Sequence, residues 1–146
     1  MIVIQNSIND AKVNEPLLCR VIQNVIDYFD KGDFDVLIRI VDKEEICLLN
    51  NTYRKQDKST NVLSFESNLP IEVDEKLLGD VVICTKVVMD EAKEQNKSFN
   101  DHLIHITIHG TLHLLGYDHI KEDDAKIMES LEIDFLKKIG VNNPYS

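Results

Sequence analysis

The sequence is short of cysteine and lacks any long apolar run. Its three cysteines, Cys19, Cys47 and Cys84, are far apart and form no C-x-x-C pair, so we interpret them as buried or free thiols in a reducing compartment. No apolar run approaches the length that spans a membrane. The first ten residues lack the basic and then apolar pattern of a secretory signal. We therefore expect a cytoplasmic protein that does not associate with membranes.

Basic residues are also scarce, because 16 Lys and Arg are set against 26 Asp and Glu, giving a net charge of −10. An acidic surface disfavours non-specific binding of nucleic acid over a broad face, since the phosphate backbone requires positive charge. It does not exclude a local basic patch inside a cleft. The sequence has no internal repeat, low-complexity tract or linker. With 146 residues, we expect one domain over residues 1–146 with a loose tail at about 141–146.

Hydrophobic periodicity predicts nine elements in the order β-α-β-α-β-β-α-α-α. The strands are predicted at residues 2–5, 34–41, 61–65 and 79–84. The helices are predicted at about residues 15–29, 43–54, 86–94, 99–115 and 123–139. The candidate N-caps of the first four helices are Asn14, Asp42, Thr85 and Ser98. This order implies an α+β fold, with a single mixed sheet of about four strands packed with about five helices.

Two further features of the chain affect where a site would lie. Residues 66–78 are acidic, contain Pro70 and predict a mobile loop or hairpin excursion. The fourth helix is apolar nearly all round except on a face of histidines, which is typical of a central helix.

The strongest chemical signal is HGTLHLLGYDH, residues 109–119, with the histidine pattern H-x3-H-x5-H. His109 and His113 share one face of the predicted helix, with their Cβ atoms about 5–6 Å apart. Gly116 tolerates the left-handed backbone that ends helices, so the chain can turn and return His119 to the same place. Three neutral nitrogen ligands suit zinc and leave a fourth position open, as in catalytic rather than structural sites. We therefore predict a metal site at the C-terminal end of this helix, and imidazoles also accept nickel or copper.

The histidines also have interpretations that involve no metal. A pair of histidines four residues apart is more often packed or on the surface than bound to metal, and it is the glycine and the third histidine that favour a metal. His102 and His105 lie on the same face. They either border the site or are ordinary half-buried histidines.

The same histidine spacing occurs in metzincin proteases, where the residue after the first histidine is a glutamate that acts as general base. Here that residue is Gly110. Without the carboxylate, peptide hydrolysis lacks its usual proton acceptor. This difference argues against a protease.

A second group of residues precedes the third strand. Arg54, Lys55 and Lys58 fall within five positions of an otherwise acidic chain. A guanidinium matches two phosphate oxygens, and an arginine beside a metal with neutral ligands would create a positive pocket suited to a phosphodiester. The alternative is a solvated cluster of loop charges.

Three blocks together, NNTYRKQDKSTNVLSF, LLGDVVIC and HLIHITIHGTLHLLGYDH, resemble the YbeY family over roughly residues 34–136. The resemblance implies a zinc-dependent, single-strand-specific endoribonuclease of the cytoplasm that acts in 3′-end maturation of small-subunit rRNA and in ribosome quality control. It places the zinc ligands at His109, His113 and His119 and the functional arginine at Arg54. The family commonly has Pro-Thr-Asp where this chain has residues 59–61, Ser-Thr-Asn, so any role of that aspartate is in doubt.

The positions and chemistry of the remaining candidates suggest further roles. Arg54, Lys55, Lys58 and Tyr117 would bind substrate, and Arg54 and Asp118 would act in catalysis. Asp118 would orient a ligand imidazole or accept a proton, or else only stabilise the turn. Tyr117 would stack a base or donate a proton, although filling space beside the turn is the simpler interpretation. Attack by the 2′-hydroxyl of the RNA and attack by water are both compatible with these residues.

Two other functions are compatible with the same residues. One is a metal-dependent hydrolase of peptides or small molecules. The other is a non-catalytic ribosome assembly factor whose metal is structural. The partners expected are single-stranded RNA and components of the ribosome.

Overall fold

A computed structural model describes residues 1–67 and 75–146. In these residues the nine predicted elements occur in the predicted order, which confirms the α+β assignment. They are β1 (Ile2–Asn6), α1 (Glu15–Tyr28), β2 (Asp35–Val41), α2 (Lys43–Arg54), β3 (Val62–Glu66), β4 (Leu77–Cys84), α3 (Thr85–Glu94), α4 (Phe99–Leu114) and α5 (Glu122–Lys138). The predicted mobility of residues 66–78 concerns mainly residues that lie outside the described ranges.

The four strands form one mixed sheet in the order β1-β2-β4-β3. β1 pairs with β2 and β2 pairs with β4 in parallel, with Ile4 opposite Ile38 and Ile38 opposite Val81. β3 lies antiparallel to β4 at the edge, with Ser64 opposite Val81. Parallel neighbours need a crossover connection, and α1 supplies it between β1 and β2.

Each face of the sheet packs against helices. Since successive side chains of a strand point to opposite faces, β4 sends Val81 and Ile83 into the larger core and Val82 and Cys84 into the smaller one. The larger core contains side chains of α1, α4 and α5, whereas Ile46 of α2 belongs to the smaller core. The sheet is therefore buried on both faces.

Helix α4 is the central helix, as its apolar composition predicts. Eleven of its 16 residues are buried, so no broad face of the helix is left to solvent. The helix lies close to β3 and β4 because Gly110 has no side chain. A Cβ at that position would be 2.8 Å from Cγ1 of Val81 and 3.0 Å from Cγ2 of Val62.

Three of the four predicted N-caps are confirmed. The side chains of Asn14, Asp42 and Ser98 each accept a hydrogen bond from the backbone N–H three residues later. The prediction for Thr85 is wrong, because Cys84 occupies the N-cap position and makes no side-chain cap bond. Thr85 is instead buried within the helix. Although burial acts to raise the pKa of Asp10, the side chain of Thr85 helps to lower that pKa.

The C-terminal segment, expected to be loose, makes specific contacts. The hydroxyl of Tyr145 donates a hydrogen bond to Glu132 at 2.7 Å, and the ammonium of Lys97 donates to the carbonyl of Pro144 at 3.2 Å. In the described part of the chain, no helix combines the length and apolar character needed to cross a membrane.

Candidate metal centre

The end of α4 creates the turn that the histidine pattern requires. Gly116 has a φ of +96°, in the left-handed region that favours glycine. Its N–H donates to the carbonyl of His113 at 3.0 Å, and the N–H of Tyr117 donates to the carbonyl of Leu112 at 3.1 Å. These two bonds form a Schellman motif, which reverses the chain after the helix. His119 therefore lies beside the final turn of α4.

The structure brings His109, His113 and His119 together, as the spacing predicts. Their candidate ligand atoms all lie within 4.8 Å of one another, and this is the arrangement of a group that could hold a metal ion. The ring centroid of His119 is 5.2 Å from that of His109 and 5.1 Å from that of His113. His109 and His113 are half-buried whereas His119 is exposed, so the site opens to solvent on one side.

The hydrogen bonds of the two helical histidines identify which nitrogen atoms are available to a metal. Nδ1 of His109 lies 2.9 Å from a carboxylate oxygen of Glu132, and Nδ1 of His113 lies 3.0 Å from the carbonyl of Tyr117. Both partners can only accept, so both Nδ1 atoms carry the proton in the neutral rings. Both Nε2 atoms then have lone pairs, and they face each other 3.1 Å apart.

Two lone pairs at this distance repel unless a proton or a cation lies between them. A zinc–nitrogen distance of 2.0–2.1 Å in a tetrahedron places two ligand nitrogens about 3.3–3.4 Å apart, close to the separation observed. Burial, followed by the charges of His109 and His119, lowers the pKa of His113, which favours the neutral ring that a metal requires. The donor set therefore fits a transition metal.

Glu132 completes this arrangement, and the sequence interpretation missed it. It is fully buried on α5, and one carboxylate oxygen accepts from both His109 and His105. Burial alone would raise the pKa of Glu132, but the hydrogen bonds from His105, His109 and Tyr145 lower it to about 2. The result is a buried anion that orients one candidate ligand and would balance the charge of a bound cation. The available signal was a glutamate on the apolar stripe of α5, four residues after buried Met128 and four before buried Leu136.

His102 and His105 are not part of the three-histidine cluster. His105 contacts the site indirectly, with its Nε2 3.1 Å from Glu132, and Nε2 of His102 lies 3.0 Å from Glu91. Their buried Nδ1 atoms have no hydrogen-bond partner among the described residues, which agrees with neutral rings protonated at Nε2. For His105, the structure therefore supports the interpretation that this residue borders the site.

A cleft of about 1160 Å³ lies in front of the histidines, and Arg54, Tyr117 and Asp118 also line it. The guanidinium of Arg54 donates to the carbonyl of Ser64 at 2.8 Å and lies 5.2 Å from the ring centroid of Phe65. These contacts hold the side chain of Arg54, at the end of α2, against β3 and occupy only part of its set of five N–H donors. The same cleft therefore contains both the three histidines that could hold a metal ion and an arginine able to bind an anion.

Lys55 and Lys58 do not line this cleft. Lys55 ends α2 with a φ of +56°, and both lysines are exposed. The structure thus separates Arg54 from the two lysines that accompany it in the sequence.

Asp118 and Tyr117 make mainly local contacts. A carboxylate oxygen of Asp118 accepts from the backbone N–H of His119 at 2.7 Å, which stabilises the turn that carries the third histidine. The ring of Tyr117 is half-buried and lies 5.5 Å from that of Phe29. Both residues border the cleft. The contacts of Asp118 stabilise the turn, and those of Tyr117 pack its ring beside the turn.

The departure at Asn61 has a physical explanation in its contacts. Its side-chain amide donates to Glu91 at 3.1 Å, and Glu91 is also the partner of His102. An aspartate at position 61 would face the Glu91 carboxylate with a like charge, whereas the amide can donate to it.

The family model and the two relatives described below carry the same name, and a solved structure has a similar fold. A family model described as Endoribonuclease YbeY matches residues 3–140. A protein of Ruthia magnifica subsp. Calyptogena magnifica named Endoribonuclease YbeY is 61% identical over 145 residues, which cover 99% of this chain and 100% of that protein. A protein of the same name from Vesicomyosocius okutanii subsp. Calyptogena okutanii is 56% identical over 145 residues, with the same coverage. The solution structure of TM1509 from Thermotoga maritima is similar, with a TM-score of 0.62, 27% identity and coverage of 100% of this chain and 96% of that one.

Proposed function

Since this chain belongs to the endoribonuclease YbeY family, we propose that it is a zinc-dependent endoribonuclease that cleaves single-stranded RNA. The observation that carries the proposal is the pair of facing Nε2 atoms of His109 and His113, with His119 beside them at the edge of the cleft. The name shared by the relatives supports the reaction class. The donor set, three imidazoles without a thiolate or carboxylate, supports zinc.

His109, His113 and His119 would hold the ion, with the ring of His109 oriented by Glu132 and that of His113 by the carbonyl of Tyr117. A zinc ion with three neutral ligands supplies a Lewis acid that polarises a phosphoryl oxygen or lowers the pKa of a bound water to about 7. The buried Glu132 carboxylate makes the Nδ1–H bond of His109 more polar. Its Nε2 thereby becomes a stronger ligand for the metal. The chain thereby arranges three neutral donors and one charge-balancing anion.

Arg54 would bind the scissile phosphate. Its guanidinium borders the same cleft as the histidines, and its remaining N–H donors can bind two phosphate oxygens at once. Because negative charge on these oxygens increases during phosphoryl transfer, the arginine stabilises the transition state more than the ground state.

Asp118 is the candidate for proton transfer, since it is an exposed carboxylate on the cleft that adjoins the third histidine. Tyr117, Lys55 and Lys58 would contribute to substrate binding. The lysines lie outside the cleft, so their contribution would be long-range attraction of the RNA backbone.

We further propose that the natural substrate is the 3′ end of small-subunit rRNA and that the protein acts in ribosome maturation and quality control in the cytoplasm. The support is the family membership. Residues 1–146 would act as one catalytic domain.

Peptide hydrolysis is not favoured. The position of the metzincin glutamate is Gly110, where even a Cβ would lie 2.8 Å from Val81. A glutamate there would need the helix to move away from the sheet, and that would displace the histidines.

The proposal is tested by incubating the zinc-loaded protein with labelled single-stranded RNA, the matching duplex and casein. We expect cleavage of the single strand, little cleavage of the duplex and none of casein. His113→Ala serves as the control for a contaminating nuclease. Equal cleavage of single-stranded RNA by the wild type and by His113→Ala would refute the proposal.

A further inference from the structure

The cleft contains an exposed aromatic side chain that the proposed reaction does not use. Tyr53 lies in the last turn of α2, next to Arg54, and its side chain is 61% exposed. It borders the same cleft as the three histidines. Exposure alone does not distinguish this ring, because single exposed aromatic side chains are common and Tyr28 is 60% exposed. What distinguishes Tyr53 is its position on the cleft beside Arg54.

The surroundings of Tyr53 hold its ring in place without covering it. Its ring centroid lies 5.3 Å from that of Phe65, with an angle of 66° between the planes. Phe65 is half-buried in the smaller core and also lies 5.2 Å from the guanidinium carbon of Arg54. One ring on β3 therefore supports both Tyr53 and Arg54, which fixes the aromatic ring relative to the candidate phosphate-binding group.

The backbone after Tyr53 is held as well. The side-chain amide of buried Asn50 donates to the carbonyl of Lys58 at 3.0 Å, and the N–H of Gln56 donates to the carbonyl of Asn50 at 3.2 Å. Residues 50–58 thus form a closed turn at the end of α2. An aromatic group on such a turn loses little conformational entropy when a ligand stacks on it.

The charges that line the cleft restrict what can bind next to this ring. Glu66, Asp80 and Asp118 border the cleft and would repel a phosphate, whereas Arg54 would attract one. Arg39 also borders it but is paired with Glu45. A ligand with an anionic group at Arg54 and an uncharged flat group beside it fits this distribution, and a nucleotide has both.

We propose that Tyr53 is a nucleobase-stacking residue, which binds an unpaired base of the RNA next to the phosphate held by Arg54. This inference rests on the proposed function and adds a determinant of its preference for single strands. In a duplex the faces of the bases are covered by their neighbours, so only an unpaired base can stack on the ring. Stacking on an aromatic ring accepts any base, so Tyr53 would contribute affinity and not sequence specificity.

The test measures binding apart from cleavage. The affinity of the zinc-loaded protein for a short single-stranded 2′-O-methyl oligonucleotide, with gel analysis to verify that the oligonucleotide stays intact, is measured for the wild type, Tyr53→Ala, Tyr53→Trp and Tyr28→Ala. Tyr28 is the matched control, since its side chain is 60% exposed but packs against Phe29 and Phe135, away from the metal cleft. Thermal unfolding shows whether either alanine variant has lost its fold.

We expect Tyr53→Ala to weaken binding by roughly 5- to 150-fold, the range for loss of one stacked base. Tyr53→Trp should retain affinity because it keeps an aromatic face, and Tyr28→Ala should bind like the wild type. Affinity for the matching duplex should be the same for the wild type and Tyr53→Ala. Wild-type affinity of Tyr53→Ala for the single strand would overturn the proposal.

A second measurement localises the contact. A series of oligonucleotides, each with one abasic nucleotide, is bound to the wild type and to Tyr53→Ala. The wild type should lose affinity most at one position, and that loss should disappear in Tyr53→Ala because the stacking partner is already absent. If the same position costs both proteins equally, the base does not stack on Tyr53.

Failure of the proposal for Tyr53 can be distinguished from failure of the proposed function. If the wild type binds single-stranded RNA but never cleaves it, the proposed function fails while the variants still decide the role of Tyr53. If the wild type does not bind single-stranded RNA at all, both proposals are overturned.

Discussion

The carboxylate of Glu132 accepts a hydrogen bond from Nδ1 of His109 at 2.9 Å, across 23 positions of sequence. This contact fixes the tautomer of His109 and aims its Nε2 at that of His113. A buried carboxylate on α5 thus determines the geometry of a site whose candidate ligands lie on α4 and on the turn after it.

Replacing this carboxylate should weaken metal binding. We expect Glu132→Gln to lower zinc affinity by about 10- to 100-fold, since an amide keeps the shape but loses the charge that polarises His109. Competition with a chromophoric chelator measures the change. Asp134→Asn removes an exposed carboxylate from the same helix and should leave the affinity unchanged. Unchanged affinity in Glu132→Gln would show that the contact does not matter for binding.

The three-histidine group should couple metal binding to folding stability. For the wild type, zinc at a hundredfold excess over its dissociation constant should raise the free energy of unfolding by about 2.7 kcal/mol, because the ion binds the native state. His113→Ala should show no such increase at the same zinc concentration. Chemical denaturation with and without zinc provides the measurement, and equal stabilisation of both proteins would place the ion elsewhere.

Arg54 should be required for cleavage and not for the metal. We expect Arg54→Ala to bind zinc like the wild type and to lose cleavage by about 10²- to 10³-fold, the range for removing one donor to a developing oxyanion. Arg54→Glu should lose more because it repels the phosphate.

Lys55→Ala and Lys58→Ala serve as controls for Arg54. These residues lie outside the cleft, so their effect on cleavage should be small and should decrease as salt is added. If Arg54→Glu cleaves RNA at the wild-type rate, Arg54 does not belong to the active site.

Close packing at Gly110 should make that position intolerant of a side chain. An alanine there would gain up to about 1 kcal/mol of helix propensity over glycine. Its Cβ would however approach Val81 and Val62 at 2.8 and 3.0 Å. Such overpacking typically costs about 1–3 kcal/mol, so we expect Gly110→Ala to be net destabilising. Urea unfolding measures this, and a more stable variant would show that α4 can shift without cost.

Local sequence signals were sufficient for the element order and for the three histidines. His109 and His113 are related by helix geometry alone, and His119 by a glycine that ends the helix, so spacing along the chain carries the information. Ser98, Asp42 and Asn14 cap their helices for the same local reason.

Contacts between distant elements were not accessible in this way. Glu132 resembles any other glutamate on a charged helix until α5 packs against α4. Tyr145 belongs to a segment expected to be loose, yet its hydroxyl contacts Glu132 because the chain after α5 returns to the site. The residue type of Thr85 predicts a helix cap, whereas its buried position beside Asp10 depends on the tertiary fold.

The most direct measurement of the central claim is a zinc titration of the chelator-treated protein, followed by cleavage of single-stranded RNA. We predict that the metal-free protein is inactive, that cleavage rises in proportion to added zinc and that it reaches its plateau at one ion per chain. Full cleavage by the metal-free protein, or binding of one zinc ion without any gain in cleavage, would contradict the account.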